Sequence, residues 1–183
     1  MNMRPKVSVA LTVIAALIVA AAAPDNAFDR VVAALQSGQT AETVGNRGGL
    51  RDAASMLAAA GAVPADGQED LSRRWDAAAG QSAAVLPVYR DRVLGPAYRA
   101  LNIPVGGAAT FHQTFFAGQR ARVAVVGLNH SDFMLSITDD GDAGVCERTS
   151  RAACNWIPLW TTRFKLRVIN SGRVPGIYFM LVQ

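Results

Sequence analysis

The sequence predicts an α+β fold, in which a short N-terminal helical segment packs on or precedes a C-terminal, jelly-roll-like antiparallel β-sandwich. Before Pro104 the chain is rich in alanine, and its large apolar residues recur at helical spacing. After Pro104 it is rich in Val, Ile, Phe and Thr, with apolar alternation and regularly spaced turn clusters. We therefore expect three regions: a signal peptide (residues 1–22), a helical or irregular region (23–103) and the sandwich domain (104–183).

Residues 1–22 have the pattern of a secretory signal peptide. Arg4 and Lys6 precede the apolar run Val7–Ala20, and a cut after Ala22 satisfies the small-residue rule of the peptidase. An uncleaved membrane anchor is the alternative, although the run is shorter than the ~18 residues that span a bilayer. We expect a periplasmic or secreted protein that is not an integral membrane protein after processing.

The charge of the chain is too small to indicate nucleic-acid binding. The formal charge of +4 falls to +2, 16 basic against 14 acidic residues, once Arg4 and Lys6 leave with the signal peptide. Proteins that bind nucleic acid through charge carry a strongly basic patch or stripe. We therefore expect no nucleic-acid partner.

The two cysteines, Cys146 and Cys154, predict a disulfide. Such a pair usually oxidises outside the cytoplasm, and it would close a short loop. A metal pair or a catalytic thiol is the alternative. A metal site would require further Cys or His residues, and the loop has none.

Three short helices are predicted before the sandwich. The second spans residues 50–60, and Asp66 and Glu69 stand at capping-box spacing before the third. Residues 45–49 are rich in glycine but lack the Lys-Ser/Thr of a phosphate loop, which favours a flexible linker. Because all three helices are poor in large apolar residues, we expect them to fold only by packing on another part of the chain. The first should end at Gly38, and its apolar stripe is Phe28, Val31, Val32 and Leu35.

The segment 86–99 is predicted to be extended or irregular chain lying on the sandwich. Pro87, Gly95 and Pro96 break any long helix. Its expected anchors are Tyr89, Leu94 and Tyr98.

Five strands follow from alternation and turn signals. The last, Ile177–Val182, is apolar on both faces and is expected to be central in its sheet. The others are centred on residues 110–116, 119–126, 133–138 and 164–168. The predicted core residues are Val123, Val125, Leu135, Ile137, Leu166 and Val168.

The sandwich region resembles the bacterial pre-peptidase C-terminal domain. The resemblance rests on TFFAGQRARVAVVG, on FMLSITDDG and on an Asn-Ser-Gly turn before a Tyr-containing strand, with matching positions at Ala117–Gln119, Phe133–Gly141 and Asn170–Leu181. It implies a secreted β-sandwich with an accessory role. The chain departs from that family in its disulfide loop and in the segment Cys154-Asn-Trp156-x-Pro158, and no functional residue is carried over.

No motif predicts catalysis, a cofactor or a metal. The acidic turn Asp139–Asp142 lacks EF-hand spacing, so a polar hairpin turn is favoured over a calcium-binding turn of another kind. His112 and His130 have no partner at a diagnostic spacing, and H-E-x-x-H, G-x-S-x-G and S-x-x-K are absent from the sequence. A small secreted hydrolase with a spatially assembled site is the alternative function.

Positive charges alternate with core residues on two predicted strands. Arg120 and Arg122 share one face of the first, and Arg163, Lys165 and Arg167 share one face of the second. If the strands lie on one sheet, these side chains form a basic face that would attract an anionic envelope component or another exported protein, and such binding would weaken as salt rises. Ordinary solvated strand faces are the alternative.

Two tryptophans beside the predicted disulfide form a second candidate site. Trp156 and Trp160 could make an aromatic binding platform or could cap the end of the sandwich core. The sequence therefore predicts an exported, non-catalytic binding or accessory module whose ligand contacts either the basic face or this corner.

Overall fold

The computed structural model describes residues 27–80, 95–128, 132–149 and 153–183. The predicted signal peptide, Tyr89, Leu94 and His130 lie outside these ranges. The helices are α1 (Ala27–Thr43), α2 (Arg47–Ala59) and α3 (Leu71–Ala78). The strands are β1 (Val63–Pro64), β2 (Ala97–Ile103), β3 (Ala108–Phe115), β4 (Ala121–Gly127), β5 (Phe133–Thr138), β6 (Gly144–Thr149), β7 (Ala153–Trp156), β8 (Thr162–Asn170) and β9 (Gly176–Val182).

The strands form two sheets, which confirms the predicted α+β sandwich. One sheet has the order β1-β2-β9-β4-β7 and the other has the order β3-β8-β5-β6. The pairs are antiparallel except for β1 with β2. The core between the sheets contains all six predicted residues, each at most 2% exposed: Val123, Val125, Leu135, Ile137, Leu166 and Val168.

Strand β9 lies at the centre of the five-stranded sheet, as its apolar sequence predicts. Tyr178 and Met180 face the core between the sheets, whereas Phe179 and Leu181 face the helices. A strand buried on both sides reads as a continuous apolar run rather than as an alternation. The same holds for most of β4, which lies beside it.

The helices pack on the outer face of the five-stranded sheet and make the molecule three-layered. Phe28, Val31 and Leu35 of α1 belong to one buried cluster with Ala124 and Val126 of β4. The helices do pack on another part of the chain, which completes their apolar side, and that they fold only in this way stays a prediction.

Two predicted helix boundaries are wrong. Gly38 lies inside α1, where a Cβ would come within 2.3 Å of the Trp75 ring, so this glycine serves close packing rather than termination. The predicted linker 45–49 instead starts α2, with the Asn46 side chain accepting a hydrogen bond from the Gly49 N–H at 3.1 Å. The N-cap of α3 is Asp70, whose carboxylate accepts from the Arg73 N–H.

Strand β2 lies within the region predicted to be helical or irregular, yet it pairs with β9 along its whole length. Pro96 and Pro104 flank it, and at strand ends the missing N–H of proline removes no ladder hydrogen bond. Tyr98 anchors this segment as predicted: it is 2% exposed, and its hydroxyl accepts from the Leu71 N–H at 2.8 Å. The sandwich therefore includes chain on the N-terminal side of Pro104.

The predicted disulfide between Cys146 and Cys154 is present. Cys146 belongs to β6, an edge strand of the four-stranded sheet, and Cys154 belongs to β7, an edge strand of the five-stranded sheet. The bond therefore ties the two sheets together along one side of the sandwich.

Across the four described ranges, none of the helices combines the length and the apolar character needed to cross a bilayer.

Candidate functional site

The three predicted cations of β8 share the solvent-facing side of the four-stranded sheet. Arg163 and Arg167 are exposed, and Lys165 between them pairs with the carboxylate of Asp142. This hydrogen bond with Lys165 and its positive charge lower the pKa of Asp142. Threonines and His112 of β3 lie across from these cations in register, at Thr114, His112 and Thr110.

Arg120 and Arg122 do not join this face, because β4 belongs to the other sheet. Arg122 lies under α1 and is 14% exposed in its side chain. Its guanidinium stacks 4.3 Å from the Phe28 ring and donates to Asp29 (3.2 Å) and Asn155 (3.0 Å). The condition for one basic face shared by both strands is therefore not met. Arg122 holds α1 to the sheet, while Arg120 is exposed in the β3–β4 turn.

The sequence left two roles open for the tryptophans, and each of the two residues occupies a position suited to one of them. Trp156 caps the core, with its ring 4.9 Å from Phe115 and 5.4 Å from Phe164 in edge-to-face contacts. Trp160 lies on the surface with 78% of its area exposed. Only Trp160 is placed where it could contact a ligand directly.

Trp160 belongs to a group of exposed apolar side chains that we call the apolar corner. Its members, with their exposed fractions, are Phe116 (58%), Ile157 (59%), Leu159 (81%) and Trp160 (78%). Sequence analysis missed the first three. For Ile157 and Leu159 the available signal was the apolar stretch 156–160 between two predicted strands, where a polar turn is the ordinary choice.

Two neighbouring connections carry the apolar corner. Phe115 pairs with Thr162 and Ala121 pairs with Trp156, so the β3–β4 turn and the β7–β8 loop leave the sandwich at the same end. The Gly118 N–H donates to the Pro158 carbonyl at 2.9 Å. The Ala117 N–H donates to the Thr161 hydroxyl at 3.0 Å. Phe116 is therefore held beside the segment that carries the other three side chains.

The base of the apolar corner is rigid. The β7–β8 loop, residues 157–161, lies between Trp156 at the end of β7 and Phe164 near the start of β8, and both rings pack against Phe115. Cys154, two residues before Trp156, is fixed by the disulfide. Apolar side chains on such a support cannot fold back into the core, which is already filled.

The acidic turn after β5 lies at the same end of the sandwich. Asp139 organises the turn by accepting from the N–H groups of Gly141 (3.0 Å) and Ala143 (2.8 Å), and Asp142 pairs with Lys165. These contacts are those of a polar hairpin turn. Within the residues that the structure describes, no three His, Cys, Asp or Glu side chains group as a metal site requires.

A cleft of about 650 Å³ separates α1 from β4 on the helix side. Its polar groups are mainly amides and hydroxyls from the exposed side of α1, and its carboxylate, Asp29, is already bound to Arg122. His112 lies elsewhere, in register with Lys165 on the open sheet face. Neither place combines a nucleophile with a base, so neither of the two supports the hydrolase alternative.

No family model matches the chain, and no curated protein matches it. Among solved structures, the mitogen of Yersinia pseudotuberculosis is similar with a TM-score of 0.43 and 12% identity, covering 49% of this chain and 85% of that chain. The pre-peptidase C-terminal domain of a Bacillus anthracis collagenase is similar with a TM-score of 0.39 and 13% identity, covering 47% and 87%. The Aeromonas hydrophila periplasmic inhibitor of g-type lysozyme has a TM-score of 0.38 and 14% identity, covering 48% and 86%.

Proposed function

We propose that the protein is an exported, non-catalytic binding module that attaches to a component of the cell envelope through the apolar corner. The signal-peptide pattern of residues 1–22 and the disulfide support export, because disulfides persist in oxidising compartments. An accessory role is what the likeness of the sandwich region to the pre-peptidase C-terminal domain implies, and membership of that family is part of this proposal.

The observation that carries the proposal is the exposure of four large apolar side chains on two adjoining loops at one end of the sandwich. Contiguous exposed apolar surface is uncommon on soluble monomers and marks places where a partner binds. Tryptophan is also enriched among the residues that contribute most to binding. Because the loops rest on a rigid aromatic base, the surface is formed before the partner arrives, which reduces the entropy lost on binding.

The predicted site residues take different roles in this proposal. Trp160 contacts the partner, and Trp156 supports it from below. Arg120 and Arg163 are exposed near the ends of the same two connections and form a polar rim. Lys165 and Arg167 lie farther along the open sheet face and would contribute only to a large anionic partner, whereas Arg122 is a structural residue.

Site-specific photo-crosslinking in the exporting cell tests the proposal. A benzophenone amino acid placed at Leu159 should form adducts, whereas the same group at Val174, an exposed residue at the other end of the sandwich, should not. A chelator should leave the adducts unchanged, since the proposed contact uses no metal. The readout is the mass of the adducts and the identity of the attached molecule.

Two results would contradict the proposal. If Leu159 and Val174 give the same background of adducts, the apolar corner has no specific partner. If the adducts vanish with the chelator while the protein stays folded, the contact depends on a metal ion.

A further inference from the structure

We propose that the partner of the apolar corner is the surface of a lipid bilayer, into which Trp160 and its neighbours insert. This inference rests on the proposed function, since it names the partner of the same surface. The shape of the corner and the point at which the chain enters the fold favour lipid as the partner, and the balance of charge around the corner favours apolar insertion over a charge-driven contact.

The first feature is the shape of the apolar corner, whose side chains point outward from turns instead of lining a groove. Its side chains sit on turns at the tip of a sandwich, and the least buried are Leu159 (81%) and Trp160 (78%). Side chains on projecting loops can enter the headgroup region together without moving the sheets below them. Tryptophan is enriched at the membrane–water interface because its ring is apolar and its N–H is polar.

The second feature is where the N-terminal apolar segment joins the fold. Phe28 and Asp29, at the start of α1, contact Arg122 at the start of β4. The start of β4 directly follows the β3–β4 turn, which carries Phe116, so α1 begins at the corner end of the molecule.

This position matters for export, because the predicted signal peptide leads into the fold at the corner end. The segment Val7–Ala20 is the part predicted to enter the bilayer, and six residues, 21–26, separate it from α1. Six residues span at most about 20 Å when fully extended. Until the signal peptide is cut, the chain therefore leads from the bilayer to the end of the fold that carries the apolar corner.

The third feature is the balance of side-chain charge at this end. Arg120 and Arg163 flank the corner, Lys165 is paired with Asp142, and Arg122 is paired with Asp29. Two further acids lie in the turn after β5: Asp139 and Asp140. Positive and negative groups nearly cancel. Attachment should therefore come from apolar insertion, and it should depend weakly on salt and on anionic lipid, unlike binding through a basic face.

Vesicle co-sedimentation tests the inference with protein recovered from the exported fraction, its N-terminus checked by mass. The probes are vesicles of phosphatidylcholine alone and vesicles that also contain phosphatidylglycerol, each at low and high salt. The variant is the double substitution Leu159→Asn/Trp160→Ala. The matched control is Val105→Asn/Val174→Ala, which changes two exposed apolar residues at the opposite end.

We expect the wild type and the control to bind both kinds of vesicle, with partition coefficients that agree within about threefold between lipids and salts. The corner variant should bind at least ~10-fold more weakly, because two large apolar contacts are lost. A blue shift of tryptophan emission on adding vesicles should appear in the wild type and disappear in Trp160→Phe, which should still sediment. Thermal melting should show all variants folded, because every changed side chain is exposed.

Equal loss in the corner and control variants would overturn the inference. So would binding that occurs only with phosphatidylglycerol and is abolished by salt, since that pattern indicates a charge-driven contact. If no vesicle binds while the crosslinker at Leu159 captures a protein, the lipid inference is wrong and the proposed function stands. If neither experiment yields a contact, both are wrong.

Discussion

The two outer faces of the sandwich have opposite surroundings, and the strands beneath them differ in sequence pattern accordingly. On the five-stranded sheet the outward residues of β4 and β9 are covered by helices, and even Arg122 is largely buried there. On the four-stranded sheet the outward residues of β8 meet solvent, and Arg167 is exposed. Alternation therefore identifies the side that faces the core between the sheets. Where the outward residues are apolar, as Ala124, Phe179 and Leu181 are, helices cover them, and Arg122 is a charged residue covered with them.

The largest loss of stability is expected from removing the ring of Trp75, in the helix layer that covers the five-stranded sheet. Trp75 is fully buried, its ring rests on Gly38, and its N–H donates to Glu42. Trp75→Ala should lower the free energy of unfolding by about 3–5 kcal/mol, because it leaves a large cavity. Trp160→Ala is the matched control and should change it by less than about 0.5 kcal/mol. Denaturant unfolding of both variants measures this, and a loss for Trp75→Ala as small as that of the control would show that the helix layer is not part of the cooperative fold.

The next effect concerns the side on which the two sheets are joined. Replacing both cysteines, Cys146→Ser/Cys154→Ser, should cost about 2–3 kcal/mol, because the unfolded chain loses its cross-link. Reductant should destabilise the wild type by a similar amount and leave the double variant unchanged. If reductant has no effect on the unfolding midpoint of the wild type, the disulfide that joins the sheets does not stabilise the fold.

A matched pair of arginines compares the two faces directly. Arg122→Ala should lower the free energy of unfolding by about 1–2 kcal/mol, since it removes a cation–π contact and two hydrogen bonds under α1. Arg167→Ala, on the open face, should change it by no more than about 0.5 kcal/mol. Chemical denaturation at fixed pH distinguishes the two. Similar losses for both would mean that the open face is covered in solution.

The prediction with the smallest effect at neutral pH concerns Tyr98 of β2, in the five-stranded sheet that the helices cover. Burial raises the pKa of Tyr98 to about 12, against a partly opposing hydrogen bond from the Leu71 N–H. A raised folded-state pKa gives stability that is complete below about pH 10, where unfolded tyrosine stays protonated, and is lost as the pH rises toward 12. The free energy of unfolding should fall in this window by up to about 1.4 kcal/mol per pH unit. Tyr98→Phe should flatten that slope, and an unchanged slope would exclude Tyr98 as its source.

The sequence predicts the strands that obey simple alternation. The bounds of β5 were predicted as observed, and the central position of β9 followed from its apolar run. Strands β6 and β7 were missed because they are short edge strands with few large apolar residues, Val145 and Trp156 being the main ones. Their pairing depends on neighbours distant in the sequence, which no local pattern contains.

The candidate site was predicted in part. The sequence offered Trp156 and Trp160 together as candidate ligand contacts, and a contact role for Trp160 stays a prediction. The grouping of Trp160 with Phe116 depends on hydrogen bonds between two connections separated by about forty residues of chain, such as that of Ala117 with Thr161. The expected union of Arg122 with the β8 cations failed for the same reason, since the sheet to which β4 belongs is decided by long-range pairing. Strand periodicity assigns a face, not a sheet.

The sequence by itself determined the class of fold, the buried face of each regular strand and the disulfide pair, because these follow from local periodicity and from the count of cysteines. The tertiary structure decided which outer face the helices cover, which arginine becomes structural, and which tryptophan reaches solvent. The physical reason is that these outcomes depend on which surfaces come into contact when distant segments pack. The environment of a side chain is set by those contacts rather than by its neighbours along the chain.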